Sequence, residues 1–275
     1  MNSKNVEIDL LSYPIRVKDA VFHSYSWKYD GTTRRYGAKI SNFSKDISEY
    51  EATIVFRGSV DQRKEALDRF LETAEVDIIN MTPGKLIIGD YYIEAYVMSS
   101  SAEPYENSDW TKKSVVFLCP YPFWIAEESR SFPPIEQSTE SDEYLDYEYD
   151  YEYDYSTQTD GSTIWEVDHF APCEFLMTIF GPVSNPRILI NGYPYEVYTE
   201  LGSNDYLQID SRNNKVIKYL SNGTRQDMYN YRAKQQSIFE QITPGNITVM
   251  WPGTYGFDLT LFCERSEPKW KMKGS

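Results

Sequence analysis

The sequence predicts a mainly β protein in two parts: an N-terminal β domain carrying one α-helix, then a β-sandwich. Three observations carry this expectation. Short runs of β-branched and aromatic residues, bounded by turn dipeptides, recur along both halves. Aromatic residues make up 16% of the chain, with 24 Tyr, 13 Phe and 6 Trp, a composition that favours pleated surfaces over helices. The strongest 3.6-residue apolar period follows Ser59.

In the first half, strands are expected at residues 6–11, 15–17 and 20–29. The pair Asp30-Gly31 signals a hairpin turn, and residues 32–43 form its return arm, with Arg34, Arg35 and Lys39 around Tyr36 and Ile40. A half-buried strand at 49–57 puts Ala52, Ile54 and Phe56 on one face and runs into Gly58. Ser59 and Gln62 have capping-box spacing, and Leu67, Phe70, Leu71 and Ala74 recur at i, i+3, i+4 and i+7. This predicts a helix over 59–75 whose other face, Asp61, Arg63, Lys64, Asp68, Arg69 and Glu72, is solvated or turned toward another subunit. Further strands are expected at 76–80, 85–88, 91–99 and 110–118, with Pro83-Gly84 and Gly89-Asp90 as turns. Pro120 and Pro122 exclude a central strand, so the first domain ends near residue 130.

Residues 131–161 form the link between domains. Within it, residues 140–155 contain eight carboxylates and no Lys or Arg, and acid and tyrosine alternate from Asp146 to Tyr155. In an extended chain the acids share one face and repel. The tract reads either as a solvated tether or as an interaction strand whose tyrosines lie on a partner. Its spacing lacks the central Gly and closing Glu of an EF-hand loop.

The second domain, 162–275, repeats a strand-and-turn rhythm: 162–167, 173–181, 187–192, 193–197, 205–210, 215–219, 245–251 and 256–263. Asn191-Gly192, Asn213-Asn214, Asn222-Gly223, Pro244-Gly245 and Pro252-Gly253 punctuate it, as expected for a sandwich. Residues 227–233 read as a short helical turn.

Composition narrows the chemistry. With 27 basic and 42 acidic residues the net charge is −15, which disfavours stable nucleic-acid binding and acidic membrane surfaces. The sequence shows neither a signal peptide nor a membrane-spanning run, so synthesis in a cytoplasm is expected. Cys119, Cys173 and Cys263 are distant, odd in number and set among apolar neighbours, as reduced core residues are. The two histidines, His23 and His169, lack a nucleophile elbow or zinc-ligand spacing, and no Gly-rich phosphate loop follows a strand. No cofactor is expected. A carboxylate pair for glycoside hydrolysis can come from any two strands, so the supply of acids decides nothing. Trp165, Tyr193, Tyr195 and Tyr198 are a candidate platform for a sugar or a partner.

The closing run Asp258-Leu-Thr-Leu-Phe-Cys-Glu-Arg-Ser-Glu-Pro-Lys-Trp270, preceded by Asn191-Gly192, Ile209-Asp210-Ser211 and Trp251, resembles the distal tail protein family of long, non-contractile-tailed bacteriophages or prophages of Gram-positive bacteria. The resemblance spans nearly the whole chain. It implies an N-terminal domain that assembles into a hexameric ring and a galectin-like C-terminal sandwich that projects outward. It also implies a non-enzymatic place at the virion tail tip, between the tail tube protein and the tail-associated hub protein, with receptor-binding proteins on the outer domain. A closed ring joins two different patches of each subunit. Asp30, Gly31, Arg34 and Arg35 in the hairpin, and Arg63, Asp68 and Arg69 in the helix, are therefore the candidate ring contacts. The second half lacks a His-Asn-Arg sugar cluster, which favours use as a scaffold; the alternative is a carbohydrate-binding module for host wall polysaccharide.

Overall fold

The computed structural model describes residues 1–102, 109–135 and 161–270, so the acidic tyrosine tract lies outside the described residues. The chain divides into two compact units: Met1–Ala126 with the segment from Glu264 onward, and Glu127–Cys263.

The first unit contains β1 (Ile15–Ala20), β2 (Lys28–Thr33), β3 (Ala38–Ser44), β4 (Ser48–Arg57), α1 (Val60–Ile79), β5 (Gly84–Ile88), β6 (Tyr91–Ala102), β7 (Trp110–Cys119) and the start of β8 (Trp124–Phe132). Strands β1, β4, β7 and β6 pair antiparallel in that order, and β5 pairs with the opening residues of β6. Strand β4 turns Tyr50, Ala52, Ile54 and Phe56 into the core, where Val115, Phe117, Ile93 and Trp124 meet them.

Helix α1 begins as its capping box requires. The Ser59 hydroxyl accepts from the Gln62 N–H, and the Gln62 side chain accepts from the Ser59 N–H, so two otherwise orphaned donors are satisfied. Its inner stripe is Arg63, Ala66, Phe70, Ala74 and Asp77, with Phe70 edge-on to Phe56 at 5.9 Å. Arg63, expected on the outer face, is thus buried, because it stands i−3 and i−7 from Ala66 and Phe70.

Two expected strands are absent. Residues 76–80 continue α1 to Ile79: their β-branched run resembled a strand, but the inner stripe persists to Asp77, whose carboxylate accepts from the Ser3 N–H at 2.7 Å. Residues 6–11 are not a strand, because nearby side chains take up the main-chain donors. The Asn2 side-chain oxygen accepts from Lys4 and Val6, and Asp9 accepts from Leu11. Of residues 20–29 only the ends are extended; between them Phe22 leaves the sheet to pack edge-on against Tyr50, Phe117 and Trp124.

The second unit holds β9 (Gly161–Val167), β10 (Glu174–Phe180), β11 (Val183–Ser184), β12 (Arg187–Ile190), β13 (Tyr193–Glu196), β14 (Glu200–Leu201), β15 (Tyr206–Asp210), β16 (Lys215–Tyr219), β17 (Arg225–Asp227), β18 (Gly245–Trp251) and β19 (Phe257–Arg265), the last leaving the unit after Cys263. A single 3-10 turn spans Tyr229–Tyr231, where a helical turn was expected. One sheet runs β8-β19-β10-β15-β16-β17, the other β13-β12-β18-β9, and β11 pairs with β14. Alternation sends Phe175, Met177 and Ile179 of β10, and Phe257, Leu259 and Leu261 of β19, inward. From the other sheet come Ile188, Ile190, Ile247, Val249 and Trp251. Phe132 stacks on Phe257 at 4.6 Å and meets Trp251 edge-on at 5.7 Å. Asn191 and Gly192 both have positive φ, 51° and 78°, which is the two-residue turn that β12 and β13 need. The architecture is mainly β with one α-helix among the described residues, followed by a sandwich.

Replacing Ser59 by Ala removes the cap acceptor and is expected to lower unfolding stability by about 1 kcal/mol, measured by urea denaturation. An unchanged midpoint would mean that the cap adds nothing to α1.

Candidate functional site

The part of the first unit that its own core leaves uncovered is the β2–β3 hairpin. Every residue of both strands is exposed, and the two strands form a sheet of their own. The turn does not sit at Asp30-Gly31. Those residues lie in β2 opposite a bulge in β3, where Ser41 is the extra residue between the partners of Asp30 and Gly31, and the chain reverses at Arg34–Gly37, where the Arg34 N–H donates to the Gly37 carbonyl at 2.9 Å. Gly37 supplies the positive φ, 77°. Gly31 serves another need, since a Cβ there would lie 2.9 Å from the Lys39 carbonyl oxygen. Arg34 and Arg35 therefore stand at the tip, Arg35 over the Tyr36 ring at 5.4 Å, and Asp30 and Gly31 midway along the arm.

The hairpin is held at its root. Lys45, just past β3, places its ammonium 4.5 Å from the Phe123 ring centroid, 5.0 Å from Trp27 and 5.5 Å from Tyr25, and donates to the Pro122 carbonyl at 3.2 Å. Burial among these rings pushes its pKa below the ordinary lysine value, with Glu267 acting in the opposite sense. Trp27 meets Phe123 edge-on at 6.0 Å, and Lys28 pairs with Asp46. Beyond this root the arm carries Tyr29, Tyr36, Ile40 and Phe43 into solvent with Lys28, Arg34, Arg35 and Lys39.

Helix α1 shows a second surface of opposite sign. Asp61, Glu65, Asp68, Glu72 and Glu75 are exposed at alternating spacings of four and three, which aligns them along one face. Lys64 and Arg69 share the exposed side, Arg69 reaching the Glu7 carbonyl at 3.5 Å. Of the helix candidates, Asp68 and Arg69 thus lie on the surface and Arg63 does not.

The four aromatics proposed as a platform do not form one. Trp165 is buried beside Phe132. Tyr195 is buried with its hydroxyl donating to the Glu240 carbonyl, and Tyr193 donates to the Ser237 carbonyl. Desolvation raises the pKa of both phenols, Tyr195 well above the usual range. Tyr198 alone of the four is exposed, beside a cleft of ≈ 480 Å³ with Asn230, Arg232, Lys234 and Gln235. The histidines are also separate: His23 stacks on Trp270 at 3.8 Å, and His169 lies against Phe170. Among the described residues, no three side chains of His, Cys, Asp or Glu gather as a metal site, and no helix is long and apolar enough to cross a membrane.

The same two-part architecture occurs in solved phage structures. The crystal structure of the SPP1 Dit protein, described as a paradigm of the hub adsorption apparatus in phages infecting Gram-positive bacteria, superposes with a TM-score of 0.60 over 91% of this chain and 93% of that one, at 12% identity. The fold is that of a phage distal tail protein. A chain of the phage P2 baseplate in its activated conformation with Ca matches with a TM-score of 0.58 at 10% identity, covering 95% of this chain and 94% of that one. The Sr form of that baseplate gives 0.58 at 11% identity with the same coverage. No protein-family model and no curated protein matches the sequence. Sequence reading of this distal-tail fold found the hairpin and the helix but missed the Lys45 root. Its signal was the isolated lysine after an aromatic cluster, Tyr25 and Trp27, whose third ring, Phe123, is distant in sequence.

Tyr195→Ala is expected to cost about 3 kcal/mol in urea denaturation, because it empties a core site and leaves the Glu240 carbonyl without its donor. Tyr198→Ala is expected to stay within about 0.5 kcal/mol of the parent. Equal effects would contradict this division into core and surface.

Proposed function

We propose that this chain is a non-enzymatic distal tail protein, a tail-tip hub that works by assembling into a ring. In this reading its partners are further copies of itself, the tail tube protein, the tail-associated hub protein and a receptor-binding protein. Its place is the virion tail tip after synthesis in the host cytoplasm. The observation that carries the proposal is the exposed basic arm on a chain whose two units share their fold, over more than nine-tenths of both lengths, with a phage hub protein. Shared fold alone is an association. The arm adds the physical argument, because a two-stranded hairpin is marginal in water without a surface to lie on.

A closed ring requires two different patches that complement each other around the circle. The hairpin, with Lys28, Arg34, Arg35 and Lys39, supplies the positive one. The α1 face of the next copy, with Asp61, Glu65, Asp68, Glu72 and Glu75, supplies the negative one. Apolar area from Tyr36, Ile40 and Phe43 provides most of the affinity and the charges set the register. Asp30 and Gly31 act by shaping the arm: they oppose the Ser41 bulge that sets its twist, the Asp30 carbonyl accepting from the Ser41 hydroxyl and Gly31 leaving room for the Lys39 carbonyl.

Light scattering behind a sizing column tests this. The parent is expected at six times the 32.1 kDa chain mass, or twice that, with the assembly weakening as salt rises. Arg34→Glu with Arg35→Glu is expected to return it to the monomer mass, and adding Asp68→Lys with Glu72→Lys to restore assembly. A parent that stays monomeric at every concentration contradicts self-assembly, and unaltered mass in the reversed variants contradicts this pairing of patches. The second reading, a carbohydrate-binding module, has one observation in its favour, the cleft beside Tyr198. Retention on host wall polysaccharide that Tyr198→Ala abolishes would move it to the front.

A further inference from the structure

We propose that Cys173 and Cys263 form a reversible disulfide that clamps β10 to β19 inside the sandwich. The pairing register carries the argument. Glu174 lies opposite Phe262 and Phe175 opposite Leu261, so the next step along both strands sets Cys173 opposite Cys263. The Cys173 N–H donates to the Ile242 carbonyl at 2.9 Å, and its own carbonyl accepts from the Ile242 N–H at 3.0 Å. Both of its main-chain groups therefore point away from β19, and the two cysteines face each other as a non-hydrogen-bonded pair. Opposed residues of that kind have Cα atoms about 4.5 Å apart and the closest side chains in an antiparallel ladder. Disulfides span Cα separations of roughly 4.4–6.8 Å. The sulfurs are already 3.8 Å apart, so side-chain rotation can bring them toward the bond length of about 2.05 Å.

Chemistry and location fit a device that responds to its surroundings. The thiols are 1% and 4% exposed, so they react when the strand ends open transiently. The oxidant is a low-molecular-weight disulfide such as oxidised glutathione. One protein thiolate attacks it, expelling one small thiol and leaving a mixed disulfide; the second protein thiolate then displaces the other small thiol. The protein gives up two protons and two electrons, and the oxidant becomes two thiols. A reducing compartment holds the pair open and oxidising surroundings close it. Cys119 takes no part, being buried in the first unit, where burial pushes its thiol up to about 12. This inference is independent of ring assembly.

The test is to refold the full chain from denaturant in glutathione redox buffers of graded poise, alkylate it under denaturing conditions, and read intact mass and digest peptides. In oxidising buffer the monomeric chain is expected to lose two hydrogens and to take up one alkyl group, on Cys119, with Cys173 and Cys263 peptides joined. Its melting temperature should rise by on the order of 10 °C, as closing a long loop implies, and fall back on adding reductant. Cys119→Ser should keep the joined peptides, and Cys173→Ser should lose both the joined peptides and the melting shift. Three alkylated thiols, stable glutathione adducts or a bond involving Cys119 would each overturn the proposal.

Discussion

A two-stranded β-hairpin that shows both faces to water has little to stabilise it, and the first unit is arranged around that fact. Packed sheets bury one face against a core and keep the other solvated, yet β2 and β3 bury neither. Order along the arm comes from its root, where Lys45 is enclosed by Tyr25, Trp27 and Phe123, and from the bulge at Ser41 opposite Asp30-Gly31. The cation–π contacts hold a charge in a desolvated place, so its ammonium is easier to deprotonate than that of a solvated lysine. Contacts of this kind orient an arm without covering it. Tyr36, Ile40 and Phe43 thus remain an exposed apolar surface along the arm.

Within each unit the core is conventional and leaves surfaces for other work. In the first, β4 and α1 supply alternating and helical stripes that meet at Phe56 and Phe70. In the second, two sheets bury Phe175, Phe257 and Trp251 between them, and the tyrosines that sequence alone offers as a platform are used as struts. Tyr195 and Tyr193 tie the segment before β18 to β13 through their hydroxyls, and Tyr255 donates to the Arg187 carbonyl at 2.8 Å. A buried tyrosine must find a partner for its hydroxyl, and an irregular segment must find partners for its carbonyls. Each meets the other's need, which is why aromatic content is a poor guide to a binding face.

Legibility followed the range of the interactions. The capping box at Ser59 and Gln62, the alternation of Ala52, Ile54 and Phe56, and the Asn191-Gly192 turn are settled within a few residues, and all were readable. The hairpin was readable as an element but not in its register, because Asp30-Gly31 and Gly37 compete for the turn and only the close approach of the Lys39 carbonyl separates their roles. Residues 76–80 have strand composition and become helix because the inner stripe continues to Asp77, which is buried and finds a main-chain partner at Ser3. Arg63 was misplaced because its type suggests the surface while its position fixes it inside. The Lys45 root and the Cys173–Cys263 juxtaposition join residues 78 and 90 positions apart, counted from Lys45 to Phe123 and between the cysteines, and no local pattern announces either.

The central claim is that the arm is made to lie on a second copy. Hydrogen–deuterium exchange of the Lys28–Ser44 amides, followed at rising protein concentration, tests it most directly. The account predicts fast exchange in dilute protein and protection of both strands as the larger species forms, with the amides of the acidic α1 face slowing in parallel. Equally fast exchange of the arm in monomer and assembled protein would contradict it, because the hairpin would then remain uncovered in the state it is proposed to build.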